Sequence, residues 1–419
     1  MTSILKSTTR IAVCLCVCLI VTLVQADQND KHEGSKKIKV AISDICRGIQ
    51  FVDVAVQEED YTVWGAAPVL DDEGKTHLYV ARWPEANVDP AWRKSSEIAH
   101  YEAESPEGPF QFVSMVVKGT GRTGEWDAFA PHNPEIKRFG DTYALVYIAN
   151  SDFHQPPHPL NQSIGMMTAK SPYGPWKKMG TNGQILDDQQ GHFSEGRQVV
   201  NPALIQLGKR FFLYYKTAMV IKGKWRTVFG LAIADRLEGP YIHQPKPVTS
   251  EDVVIEDASV FEWSNKICLL TTDNHGLVTG ITGGLALWVS DDGMNFRKDW
   301  IQLGMRTFPD YLPGYDAKQV KRVYGGGAKP ERPKVLKLNG KPAYLYVGSG
   351  WIYNGAPRCV NHVFKINLSD QSSPLPREGS TTTNTACISA LGNTVAQKQE
   401  LTQSDSAEIV DAVYAASDT

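Results

Sequence analysis

The stretch Val254–Phe261, VIEDASVF, sets two carboxylates, Glu256 and Asp257, among apolar residues. Farther along, GAKPERPKVLKL places Glu331 beside Arg332 in similar surroundings. Both stretches read as strand openings, where neighbouring side chains point to opposite faces. One acid of the first pair must therefore turn inward, and acids are seldom buried without a partner or a task. Paired carboxyl groups suit acid–base chemistry, one giving a proton while the other takes one. Further candidates are Glu97 in SSEIAHY, Asp127 in EWDAFAPHNP and Glu195 in HFSEGRQVVNP, the last two in loops, where an acid is most often only solvated. His132 and His192 could tune such an acid or touch a substrate. Arg82-Trp83 offers a guanidinium beside a flat apolar face, and Trp64 stands nearby. No His/Asp/Glu spacing specifies a metal. HExxH, GxSxG and phosphate-loop motifs are absent, which removes support for zinc proteolysis, serine hydrolysis and nucleotide chemistry.

The elements that would hold these residues repeat. APVLDDEGKTHLYVAR from Ala67, NPEIKRFGDTYALVYIAN from Asn133, NPALIQLGKRFFLYYKTA from Asn201, DASVFEWSNKICLLTTDN from Asp257 and RPKVLKLNGKPAYLYVGS from Arg332 share one plan. A short apolar strand meets a polar turn and enters a second strand rich in Leu and Tyr, a β-hairpin pattern. IAHYEAESPEGPF, IGMMTAKSPYGPW and FGLAIADRLEGPY follow three of the copies as a second unit, with LALWVSDDGMNFR as a looser fourth. Two hairpins make one four-stranded antiparallel blade, so five copies over residues 46–369 predict an all-β fold, a five-bladed β-propeller. Its inner strands would bring Ala66-Ala67, His132-Asn133, Val200-Asn201, Glu256-Asp257 and Glu331-Arg332 to the mouth of one channel. Such a ring is either a polar pocket or a set of bonds that closes the blades on one another.

Residues 1–26 have Lys6 and Arg10 ahead of an apolar run, Ile11–Val24, then small residues at Val24-Gln25-Ala26. That is the layout of an export signal, too short for a comfortable membrane span. A secreted or periplasmic protein follows, with no membrane span once the signal is removed. Residues 27–45 read as a lead-in and 370–419, rich in Ser and Thr, as a polar, mobile tail. The formal charge of −3 falls further when the basic signal is lost, and no basic stripe exists to meet nucleic acid. Hydrophobic residues at 42% place the chain among ordinary globular proteins. Four cysteines remain outside the signal, Cys46, Cys268, Cys359 and Cys387, enough for one or two disulfides in an oxidising compartment.

Over roughly residues 60–366 the chain resembles the five-bladed propeller glycosidases of the glycoside hydrolase family 43 and family 117 type. The resemblance rests on the hairpin openers, the SPEGPF and SPYGPW turns, and the segments SSEIAHY, HNPEIKRFGDTYALVY, IEDASVF and ERPKVLKLNGKPAYLY. It implies an oligosaccharide substrate, removal of a terminal sugar from plant or algal cell-wall material, and no required cofactor. A calcium or sodium ion in the channel is a family-level expectation. In family 43 an Asp opening the first blade is the base, an Asp in the third tunes the acid, and a Glu opening the fourth donates the proton. By position the acid falls on Glu256, while the two Asp positions fall on Ala67 and Asn201, neither of which accepts a proton. Glycoside cleavage normally needs two carboxyl groups, so the second must be sought at Glu331 or Glu97, with Asp127 and Glu195 in reserve. Asp257, Arg82, Trp83, Asp127, His132, Asn133, His192, Glu195, Asn201 and Arg332 are then the expected sugar-binding set. Two other readings stay open: a glycoside phosphorylase, needing one acid and a cluster of cations, and a sugar-binding propeller without catalysis.

Overall fold

The computed structural model describes residues 38–85, 92–152, 161–180, 182–187, 198–312, 314–316, 320, 328–353 and 356–377. The export signal, most of the lead-in, the tail beyond residue 377, Cys387, and the site candidates His192 and Glu195 lie outside the described residues. Apolar runs broken by glycine and asparagine turns make strands the dominant element of the described residues, joined by turns and loops with only a few short helices. Two early strands, β1 (Ala41–Ile42) and β2 (Ile49–Val56), come before the repeats. Blade 1 is β3 (Tyr61–Leu70), β4 (Thr76–Pro84), β5 (Glu97–Ala103) and β6 (Gln111–Val117). Blade 2 is β7 (Phe129–Phe139), β8 (Thr142–Asn150), β9 (Gln162–Ala169) and β10 (Lys177–Lys178), with β11 (Gln184–Leu186) also on β9. Blade 3 is β12 (Val200–Leu207), β13 (Arg210–Ile221), β14 (Lys224–Ala234) and β15 (Ile242–His243). Blade 4 is β16 (Ile255–Trp263), β17 (Lys266–Asp273), β18 (Gly284–Ser290) and β19 (Gln302–Met305), extended by β1 in parallel. Blade 5 is β20 (Glu331–Leu338), β21 (Lys341–Tyr353) and β22 (Ala356–Ile366), completed by β2.

The five-bladed propeller expected from the repeats is therefore present, with three four-stranded blades and two five-stranded ones. The innermost strands β3, β7, β12, β16 and β20 touch in a closed ring. Five apolar clusters fill the seams between neighbouring blades: Val260 and Leu269 of blade 4, for example, pack on Tyr214 and Phe229 of blade 3. The tyrosines of the second strands act across these seams. Tyr79 donates to the Pro172 carbonyl at 2.5 Å, Tyr214 to that of Gly293 at 2.7 Å and Tyr346 to that of Pro106 at 2.6 Å, each reaching a turn of the next blade. A buried phenol gains from such a partner, and Tyr215 finds one inside its own blade at His243, 2.9 Å away. Residues 370–377 lie back on the body, where Arg377 pairs with Asp44 and the Pro374 carbonyl accepts from Gln302. Cys46, Cys268 and Cys359 are buried free thiols, so no disulfide joins them.

Candidate active site

Each inner strand carries a bulge at the same place. Register slips between Trp64 and Ala67, His132 and Glu135, Val200 and Ala203, Glu256 and Ala258, and Glu331 and Lys334. A bulge bends a strand and re-aims its side chains. The residue that turns is left-handed in all five: Gly65 (φ 67°), Asn133 (51°), Asn201 (54°), Asp257 (51°) and Arg332 (54°). Only glycine adopts this conformation freely, so four blades hold a polar side chain in a backbone shape that disfavours it. The bulges also correct the first-blade alignment. The residues equivalent to Glu256-Asp257 are Trp64-Gly65, two positions before Ala66-Ala67, and Gly65 has no proton-accepting group either.

The left-handed residues bond to one another around the mouth. Asn133 Nδ2 donates to Asn201 Oδ1 at 2.7 Å, and Asn201 Nδ2 donates to Asp257 Oδ1 at 2.9 Å. Asp257 also accepts from the backbone N–H of Arg332 at 2.9 Å and from its Nη1 at 2.6 Å. Arg332 lies against Gly65, where an added Cβ would come 3.4 Å from its Cγ and Nε. Blades 2, 3, 4 and 5 are thus linked in sequence and the last rests on blade 1. Asn133, Asn201, Asp257 and Arg332 are all nearly enclosed. Their bonds to one another close the ring.

One residue earlier on β16 and β20 stand Glu256 and Glu331, on neighbouring inner strands. Lys216, from the second strand of blade 3, meets Glu256 Oε2 at 2.5 Å, and Lys329 meets Glu331 Oε1 at 2.9 Å. Glu256 keeps 25% of its side chain exposed and Glu331 7%, so the first faces the opening and the second lies behind it. Their electrostatics diverge. Burial pushes the Glu256 carboxyl upward, but Lys216, aided by Lys329 and a hydrogen bond from Asn274, outweighs it and holds the pKa at about 2. For Glu331, burial dominates; Lys329 offsets only part of it, and repulsion from Glu256 and Asp257 adds to it, so the pKa rises to about 7.

Deeper in the bore, Glu135 of β7 pairs with Lys334 of β20, and Lys334 also donates to the Ala258 carbonyl of β16 at 2.8 Å. Lys137 adds a second cation to Glu135 at 3.0 Å. These inner strands are not all neighbours, so the contacts cross the bore and fill it. The mouth therefore opens on a bore that is closed beneath it.

The remaining sequence candidates are engaged by partners of their own. Glu97 is bound by Arg82 Nε at 3.1 Å and Lys118 Nζ at 3.1 Å, both within blade 1. Arg82 also grips Glu58 and lies over the rings of Tyr61 and Phe112, at 4.2 and 4.6 Å. Trp83 is wholly enclosed beside Trp64 and Cys359, leaving no free face for a sugar. Asp127 is 2% exposed and held by Lys178 at 2.5 Å. His132 is buried, stacked on Trp92 at 4.9 Å, with Nδ1 2.9 Å from Ser96 Oγ. Since that hydroxyl donates to the Pro131 carbonyl, it accepts from Nδ1–H. Burial and the charge of Arg332 keep the His132 imidazole neutral, well below its ordinary pKa.

Lys216, Lys329 and Asn274 were not among the sequence candidates. Lys216 had a readable signal, a lone charge inside the apolar run FFLYYKTA. Among the described residues no group of three His, Cys, Asp or Glu is arranged to hold a metal ion. No described helix is long and apolar enough to cross a membrane.

Solved structures share this architecture. A family 117 glycoside hydrolase of the marine bacterium Zobellia galactanivorans aligns with a TM-score of 0.57 at 14% identity, covering 77% of this chain and 91% of its own. The BT0996 protein, solved as an RGII complex, aligns at 0.55 and 13% identity, covering 81% and 96%. CoXyl43, a family 43 β-xylosidase/α-arabinofuranosidase from a compost microbial metagenome in complex with xylotriose, aligns at 0.50 and 12% identity, covering 77% and 97%. No protein-family model and no curated protein matches the chain. At these identities what is shared is the fold.

Proposed function

We propose that the protein is an exported glycosidase that removes a terminal sugar from plant or algal cell-wall oligosaccharides, with Glu256 and Glu331 as its two catalytic carboxyl groups. One observation carries the reading: two carboxyl groups open adjacent inner strands at the mouth of a bore closed beneath them, in environments that push their pKa values apart. That is the signature of an assigned acid and an assigned base. The resemblance alone would make Glu256 the acid. The local charges favour the reverse, Glu331 holding its proton near neutrality and Glu256 staying ionised against Lys216. Glu331 gives its proton to the glycosidic oxygen as the bond to the sugar breaks. Glu256 either takes a proton from the attacking water or attacks the sugar carbon itself, the two routes giving inversion and retention. Both the proton and the base come from the chain, so the reaction needs no cofactor. The ring of Asn133, Asn201, Asp257 and Arg332 keeps the two acids in register. A bore closed at one end admits a chain end rather than a chain middle, which supports terminal removal. The neighbours named above, one from a marine bacterium and one holding xylotriose, support the substrate class by analogy.

A second reading has an observation in its favour. Lys216 and Lys329 put two cations beside the acids, as a phosphorylase would need for phosphate. The test is to incubate the purified protein with plant and algal oligosaccharides, with and without phosphate, and measure released sugar. Release without phosphate establishes hydrolysis. Release only with phosphate assigns the phosphorylase. Binding without release in either condition leaves a sugar-binding propeller and ends the proposal.

A further inference from the structure

The hairpin of blade 3 is taller than its inner strand requires. β13 and β14 stay paired to Ile221 and Lys224, well past Lys216, which lies opposite Val200 at the start of β12. Side chains alternate along a strand, so Lys216, Ala218 and Val220 share a face with their cross-strand partners Phe229, Thr227 and Trp225. That face looks toward blade 4. Lys216 reaches Glu256, Thr227 Oγ1 donates to the Ile255 carbonyl at 2.8 Å, and Phe229 packs with Ile255, Ala258 and Val260. Arg226 binds Asp252 at 2.6 Å, and Thr227 bridges Val254, so the ribbon is tied down at its root. Above that root Ala218 is fully buried, but Val220 is 53% and Trp225 45% exposed, directly opposite each other.

We propose that Val220 and Trp225 form a stacking platform for the part of an oligosaccharide that projects out of the pocket, beyond the sugar held at Glu256 and Glu331. Val220 is four residues past Lys216, about 13 Å at ~3.3 Å per residue, within reach of a short oligosaccharide rooted at the carboxylates. An aromatic face beside an aliphatic side chain suits a sugar ring with its apolar face and polar rim. The patch is one Val–Trp pair, far below the ~1,000 Å² that a stable protein interface needs. The substrate class is thereby narrowed to oligosaccharides of several units. The inference rests on the carbohydrate reading of the site, not on its chemistry.

The test is calorimetric titration of wild type, Trp225→Ala and Trp225→Phe with xylo-, arabino- and galacto-oligosaccharides, comparing the tetrasaccharide with the disaccharide of whichever series binds. The platform gives the tetrasaccharide an affinity advantage that Trp225→Ala lowers about ten-fold, or ~1.4 kcal/mol, and that Trp225→Phe largely restores. An unchanged advantage overturns the inference, and so does the absence of binding by every tetrasaccharide. A shift in sedimentation of Trp225→Ala with no change in sugar binding also overturns it, marking a protein contact instead. Because the readout is binding, a protein that binds sugars in this way without cleaving them refutes the proposed hydrolysis and leaves the platform standing.

Discussion

Replacing Glu331 with Gln keeps its size and removes its titration, and the structure sets what should follow. The carboxyl is 6% exposed and raised from an ordinary 4.5 to about 7. At about 1.4 kcal/mol per pKa unit this is a difference of about 3 kcal/mol between folded and unfolded chains. Its sign follows from proton counts. Between pH 4.5 and 7 the folded state holds the Glu331 proton and the unfolded state has lost it, so stability falls as pH rises. The contribution is complete below the unfolded pKa and gone above the folded one. Glu256 titrates lower, where Glu331 is neutral in the wild type, so its effect cancels when the variant is subtracted. Urea melts of both proteins across the pH range should show wild-type stability, relative to Glu331→Gln, dropping by about 3 kcal/mol from acid to mildly alkaline pH. If Glu331 also supplies the catalytic proton, kcat/KM of the wild type falls above pH 7. The variant loses that limb, and its turnover drops by about 10²–10⁴-fold. A stability difference that stays flat with pH would falsify the protonated Glu331, and with it the assignment of acid and base.

Lys216→Met removes the larger of the two charges that hold Glu256 low, leaving Lys329 and Asn274 to oppose burial. The acid limb of kcat/KM should move up from about pH 2; an unmoved limb would show that Glu256 does not set it. Asp257→Asn cuts the ring between blades 4 and 5 and strands the Arg332 guanidinium, which should cost about 3–5 kcal/mol in chemical denaturation. A loss well below that would mean the bulge backbone, not this carboxylate, holds the blades together. Glu97→Gln should leave turnover within a few-fold of wild type, because its partners Arg82 and Lys118 belong to blade 1. A collapse as deep as that of Glu331→Gln would return Glu97 to the chemistry.

The blades were legible in the sequence because a hairpin is local: alternation, a Gly or Asn turn and a Tyr-rich return strand all fall within about twenty residues. The contribution of β2 to blade 5 was not legible, since its pairing with β22 joins residues some three hundred positions apart. Aligning the repeats placed the mouth residues correctly in four blades, where a polar side chain marks the bulge. It slipped by two in blade 1, where Gly65 and Ala66 carry no such mark. Glu97 stood out as a lone acid ahead of a strand because its cross-strand partner, Arg82, becomes its neighbour only once β4 and β5 pair. Trp83 read as an open aromatic for the same reason: its cover comes from β3 and from Cys359 of β22.

The blade that presents Glu331 is sewn from strands made at opposite times. β2 is among the first to leave the ribosome, and its partner β22 ends at Ile366. Until that last strand arrives, β21 lacks its outer neighbour, and β20 is held in place by its pairing with β21 and by bonds from Arg332 and Lys334 to β16. Blade 5 is therefore complete, β2 against β22, only once synthesis has run past residue 366.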